Sequence, residues 1–164
     1  TRTVSQIRDI TERQNAVKAL RESHAALSSI LETTRDGFCH LDAQGHIIDV
    51  NPAYCAMTGY TRNELLSMHM KKLEAVETPQ EVAAHIEQIR AFGSDTFETT
   101  QRRKDGTRWN AEVSATFRKE SGADFFVFLR DITERKSAEQ ELEQHRHRLP
   151  LLAHRPPGDS GARD

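Results

Sequence analysis

Apolar and polar positions change their period along this chain, and the changes mark its elements. Between Thr11 and Leu31 the apolar residues fall on heptad positions: Ile10, Val17 and Leu31 on one, Leu20 and Leu27 on the other, with Arg13 and His24 as polar exceptions. That predicts a long helix whose seam pairs with a second copy in a dimer or packs back on the chain's own sheet. Gly37–Asp42 and His46–Val50 read as short strands around the turn Ala43-Gln44-Gly45. Asn51-Pro52 supplies an N-cap and a first-turn proline for a short helix carrying Tyr54, Cys55 and Met57, closed by Gly59. Thr61-Arg62-Asn63-Glu64 and Thr78-Pro79-Gln80-Glu81 have capping-box spacing. The first opens a short turn of helix through Leu65 and Leu66. The second opens a longer helix with Val82, Ile86 and Ile89 on one face, ending near Phe92-Gly93.

In the second half the period falls to two. Thr96–Arg103 and Thr107–Phe117 flank the hairpin signal Lys104-Asp105-Gly106. In the second strand Trp109, Ala111, Val113, Ala115 and Phe117 alternate with polar neighbours, as in an antiparallel sheet that covers a core on one side. Asp124–Arg130 is apolar on both faces, which predicts a central strand or one sealed by a helix. The order is two strands, short helices, a longer helix and three strands, with a helix at each end.

The hexamer Arg130-Asp131-Ile132-Thr133-Glu134-Arg135 occurs twice, the earlier copy being Arg8-Asp9-Ile10-Thr11-Glu12-Arg13. At the same offset Ala16 answers to Ala138, Leu20 to Leu142 and Leu27 to Leu149, which suggests tandem modules. Each copy reads as a joint where a buried strand hands over to an exposed helix. Thr1–Ile7 is accordingly expected to be the stub of a last strand.

These features together resemble the PAS domain family, over about Leu31 to Arg135. The resemblance rests on Asp36-Gly37, Asn51-Pro52-Ala53 followed by Thr58-Gly59-Tyr60, Arg103-Lys104-Asp105-Gly106, and Arg130-Asp131-Ile132-Thr133. It implies an α+β fold: a five-stranded antiparallel sheet of order 2-1-5-4-3 cupping a small cavity under short helices, flanked by coiled-coil-type helices. The expected organisation is the end of a preceding PAS-like module (1–10), a linker helix (11–31), the PAS domain (32–132), an exit signalling helix (133–149) and a disordered tail (150–164). Such domains sit in bacterial sensor histidine kinases, diguanylate cyclases and similar cytoplasmic signalling chains, beside further PAS and output domains. They sense ligands or redox state, or mediate dimerisation.

The alternation on the Trp109 strand sets one large residue among three small ones, leaving room for a ligand between sheet and helices. Candidate wall residues are Phe38, Tyr54, Met57, Leu66, Ile86, Phe97, Trp109, Ala111, Val113 and Phe126. In the opposing reading the large ones fill that room themselves. Arg130, Asp131 and Thr133 are the candidate relay residues at the strand-to-helix change.

Composition narrows the chemistry. At 164 residues, 36% of them hydrophobic, the chain can bury one ordinary core. A net charge of −2 is a poor footprint for nucleic acid, and no apolar run approaches membrane-spanning length. The repeat leads one to expect a chain that starts mid-protein, so a missing signal peptide says little. Cys39 and Cys55 have no metal-ligand spacing and read as packing residues in a reducing compartment. His85, on the longer helix, is the candidate axial ligand for heme. By resemblance, however, the proximal histidine of heme-binding members falls where this chain has Glu77. The photo-adduct cysteine of flavin-binding relatives would lie in Ser67–Lys72, which has none. The Trp109-Asn110 pair follows the Lys-Asp-Gly turn, whereas in FAD-binding relatives it precedes it. No cofactor is therefore the leading expectation, with heme and FAD behind it. No nucleophile with a base and orienter, and no Gly-rich phosphate loop, suggests catalysis. Two functions remain: a module that senses a small ligand or redox state, and a ligand-free dimerising spacer.

Overall fold

The computed structural model describes residues 2–120 and 122–152. Contacts divide the chain into two units, one ending at Asp131 and the other beginning at Ile132. In the first unit α1 (Arg2–Thr33) leads into β1 (Gly37–Leu41), β2 (Ile47–Val50), α2 (Pro52–Thr58) and α3 (Arg62–Leu66). A 3-10 turn (Met70–Lys72) precedes α4 (Pro79–Phe92), and β3 (Ser94–Arg102), β4 (Arg108–Arg118) and β5 (Asp124–Asp131) complete the unit. The strands form one antiparallel sheet of order β2-β1-β5-β4-β3, the order the family resemblance implies. The second unit is α5 (Thr133–Leu152).

Local signals set the boundaries where the sequence places them. The Thr61 and Thr78 hydroxyls accept from the Glu64 and Glu81 amides while those glutamates return to the cap amides, so both capping boxes are closed. Gly59 ends α2 in the left-handed region at φ 77°, which a residue without a Cβ adopts freely.

Asn51 does more than cap α2. Its Oδ1 accepts from the Tyr54 amide at 3.0 Å and the Phe38 amide at 2.8 Å. Its Nδ2 donates to the carbonyls of Leu31, at the end of α1, and Asp36. One buried amide side chain thus pins the end of α1, the start of β1 and the start of α2. Both ends of the amide are satisfied, as burial demands.

The core lies between the sheet's inner face and α2, α3 and α4. Cys39 and Leu41, Val127 and Leu129, and Val113 and Ala115 meet there across strand pairs. Gly37 lets Tyr54 approach this floor, since a Cβ at residue 37 would stand 3.0 Å from its ring. The outer face is apolar only in part. His40 stacks on Phe126 at 4.6 Å with rings 9° apart, its Nε2 is 3.0 Å from Asp124, and Phe128 is 42% exposed. That double-sided character suits β5 to the centre of the sheet.

Two expectations need correction. Residues 2–10 are helical, not the stub of a strand. Their apolar residues Val4, Ile7 and Ile10 recur every three positions. A helix also satisfies its own backbone, whereas an extended segment needs a strand beside it. Asp9 and Glu12 therefore lie inside α1 and do not cap it, so the earlier hexamer is no strand-to-helix joint. The tail expected to be disordered from residue 150 is helical through Leu152. The fixed φ of proline, about −65°, is itself helical, so the helix runs on past Pro150 although that residue has no N–H to donate. The rest of that tail, 153–164, lies outside the described residues.

Candidate functional site: an internal cavity and its polar wall

Between the inner sheet face and α4 lies a cavity of about 90 Å³. Its floor includes Leu41, Val113, Ala115, Val127 and Leu129, its α4 wall is Val82, Ile86 and Ile89, and Met70 and Phe97 close the sides. The spacing that puts Val82, Ile86 and Ile89 on one helical face turns them toward this space.

One side of the cavity is polar. On β3 the inward positions are Phe97, Thr99 and Gln101, so the strand carries two polar residues on its core face. Thr99 Oγ1 donates to Glu74 Oε2 at 2.8 Å, and Gln101 Nε2 donates to Glu74 Oε1 at 3.4 Å. Gln101 Oε1 accepts from the Tyr54 hydroxyl at 3.2 Å. This chain of groups joins α2, β3 and the segment before α4, and buried networks so satisfied rigidify the elements they connect. Burial pushes the Glu74 carboxyl above its ordinary range, Thr99 and Gln101 acting against that shift by hydrogen bonding.

His85 stands at the cavity rim, its ring stacked on Phe97 at 4.0 Å. Nε2 lies 3.3 Å from Glu77, and Nδ1 lies 3.5 Å from Asp95, too poorly aligned for a hydrogen bond. The imidazole is therefore held between two carboxylates. A pocket for an organic cofactor spans roughly 300 Å³ or more, so the space beside His85 does not fit heme or the flavin of FAD.

Of the residues singled out in the sequence, Ile86, Phe97 and Val113 line the cavity, with His85 at its rim. Tyr54 reaches it through Gln101. Met57 packs against Gly37, and Leu66 packs against the core from α3. Trp109 and Ala111 share the inward face but lie farther along β4, opposite Gln101 and Thr99. Phe38 and Phe126 are on the other face of the sheet, because Phe38 pairs with Phe128 and Phe126 with His40 and Thr116, all outward. Glu74, Gln101 and Thr99 were missed. The available signal was the period-two placement of Thr99 and Gln101 in phase with Phe97.

A second constellation sits where β5 ends. The Arg103 guanidinium lies over the Trp109 ring at 5.4 Å, donates to the Met57 carbonyl, and reaches Asp131. Arg130 pairs with Asp36 through two bonds, at 3.2 and 2.9 Å. Among the described residues no helix is long and apolar enough to cross a membrane.

This sheet order, the helices over its inner face and the cavity between them define a sensor-type α+β domain. Residues 35–134 match the family model described as PAS domain, and the chain belongs to that family. It is 32% identical over 143 residues to a methyl sulfide methyltransferase-associated sensor of Methanosarcina acetivorans, covering 86% of this chain and 14% of that protein. It is 28% identical over 136 residues to the sensor histidine kinase TmoS of Ectopseudomonas mendocina, covering 80% of this chain and 14% of that one. The chain thus spans about a seventh of the length of these relatives. The crystal structure of the PAS domain of an HTR-like protein from Haloarcula marismortui superposes with a TM-score of 0.64 at 27% identity, covering 73% of this chain and 99% of that one.

Proposed function

We propose that this chain is the sensory, signal-transmitting module of a cytoplasmic signalling protein of the histidine kinase or diguanylate cyclase type. It takes a small ligand into the cavity and relays its presence through α5, with no catalysis of its own. One observation carries the reading: Val127 and Leu129 line the cavity, and the same strand runs on through Arg130 and Asp131 to the start of α5. A ligand that favours one arrangement of β5 over another would bias the segment that continues the strand. The redox arm of the expectation has less support, because burial raises the thiols of Cys39 and Cys55 and so disfavours reactive thiolates.

The second reading is a ligand-free dimerising spacer, and α1 favours it. Ile10, Val17, Leu20 and Leu27 are exposed along that helix, a stripe suited to a second copy of the chain. Both readings include that homodimer. Denaturing the purified protein and identifying released small molecules by mass spectrometry separates them. A released compound that, added back, changes the output of the longer protein supports sensing. An empty protein whose longer form responds to no small molecule sinks it.

A further inference from the structure

The cavity's size, charge and polar wall limit the molecules it can hold. An apolar cavity of roughly 150 Å³ takes benzene, and a water's share of liquid volume is about 30 Å³. The 90 Å³ here suits a molecule of a few non-hydrogen atoms. Glu74 and Glu77 line the space and Asp95 faces His85 at its rim, so an anion meets carboxyls on entry. His69 and Lys71 also border it, Lys71 being exposed. An ammonium would gain Glu74 as partner but would lose its hydration against walls that are mostly hydrocarbon.

Each Glu74 oxygen accepts one bond, from Thr99 or Gln101, which leaves further lone-pair capacity on the carboxyl. A hydroxyl suits it in either protonation state: it donates to a carboxylate and accepts from a carboxylic acid.

Resting on the reading of the cavity as a ligand site, we infer that it takes a compact uncharged alcohol of roughly two to four carbons. The hydroxyl sits on the Glu74 carboxyl and the hydrocarbon end lies among Ile86, Val113 and Leu129. So few atoms bind no tighter than roughly micromolar, and 1-propanol, with four non-hydrogen atoms, no tighter than roughly tens of micromolar.

The test is an amide NMR titration of the whole chain with 1-propanol, with propionate and propylammonium as charged counterparts and xenon as a purely apolar probe. Saturable shifts at Ile86, Val113 and Leu129 with 1-propanol, and weaker or no shifts with the two ions, are expected. Glu74→Leu should weaken 1-propanol at least tenfold and keep xenon uptake. The nearly isosteric Glu74→Met serves if the leucine variant loses its dispersed spectrum. Xenon uptake without propanol binding, or either ion binding more tightly than propanol, overturns the alcohol assignment alone. Undiminished propanol binding in the Glu74 variants overturns it too. If neither xenon nor propanol enters, the cavity is no ligand site, and the alcohol assignment falls together with the sensing reading it rests on.

Discussion

The Arg103 guanidinium lies 3.4 Å from the Asp131 carboxylate at the end of β5. The same side chain donates to the Met57 carbonyl and covers Trp109, so one planar cation touches α2, β4 and β5. Arg103→Met should cost about 1–2 kcal/mol in urea unfolding, from the charge-assisted bonds it removes. Asp131→Ala should cost about 1 kcal/mol or less, because the pair is a third exposed. Both Asp131→Ala and Thr133→Ala should leave the sheet's amide spectrum intact and uncouple the output of the longer protein. An output identical to wild type would remove these residues from the relay.

Trp109 is 1% exposed, yet its indole N–H meets no acceptor among the described residues. Trp109→Ala should lose about 3–5 kcal/mol, the range for emptying a buried aromatic site. Trp109→Phe should lose about 1 kcal/mol or less, because an unsatisfied buried donor disappears along with the lost area. Chemical denaturation of the two variants checks the contrast, and equal losses would argue against it.

Glu74 gives stability a pH dependence of definite sign. Its folded pKa lies above the ordinary 4.5, chiefly through burial, so the folded state holds the proton more tightly. That contribution is fully present below 4.5, declines as pH rises through the folded value, and is level above it. Glu74→Gln cannot ionise and should lack this decline. Urea midpoints of both proteins from about pH 4 to 8 give a difference that isolates Glu74 from the other carboxyls. Parallel curves would mean its burial has no such effect.

The α1 stripe predicts that Leu20→Glu with Leu27→Glu weakens self-association while the sheet stays folded. Both leucines are exposed, at 71% and 60%, so one copy of the chain loses little by the change. Sedimentation equilibrium reads the first effect and the amide spectrum of β1–β5 the second. Unchanged association would move the dimer contact elsewhere.

Much of the architecture was legible along the chain because its signals are local. The Thr61 and Thr78 capping boxes, Gly59 as C-cap, the Lys104-Asp105-Gly106 hairpin and the α4 stripe each depend on residues a few positions apart. The hexamer repeat misled at its earlier copy, where the same six residues lie within a continuous helix. Identical side chains take different backbones here: Arg130 and Asp131 pair with β4, whereas Arg8 and Asp9 lie within α1.

Which residues face the cavity is not a local property. Alternation in the Trp109 strand shows that one side is apolar, but Phe126 sits in a strand apolar on both sides and Phe38 in a five-residue strand where apolar residues occupy both faces beside a single His40. There only the pairing of β1 with β5 and of β5 with β4 decides which side is inward, and it sends both rings out. Glu74 joins Gln101 and Tyr54 by the same long-range logic, across segments far apart in sequence. The order of residues was enough to specify the elements, most of their ends and the family, because those rest on neighbours within a turn or two. The cavity, its polar wall and the Arg103 contact were specified only in the folded chain, because each requires side chains from strands and helices that meet only after the sheet has closed over its core.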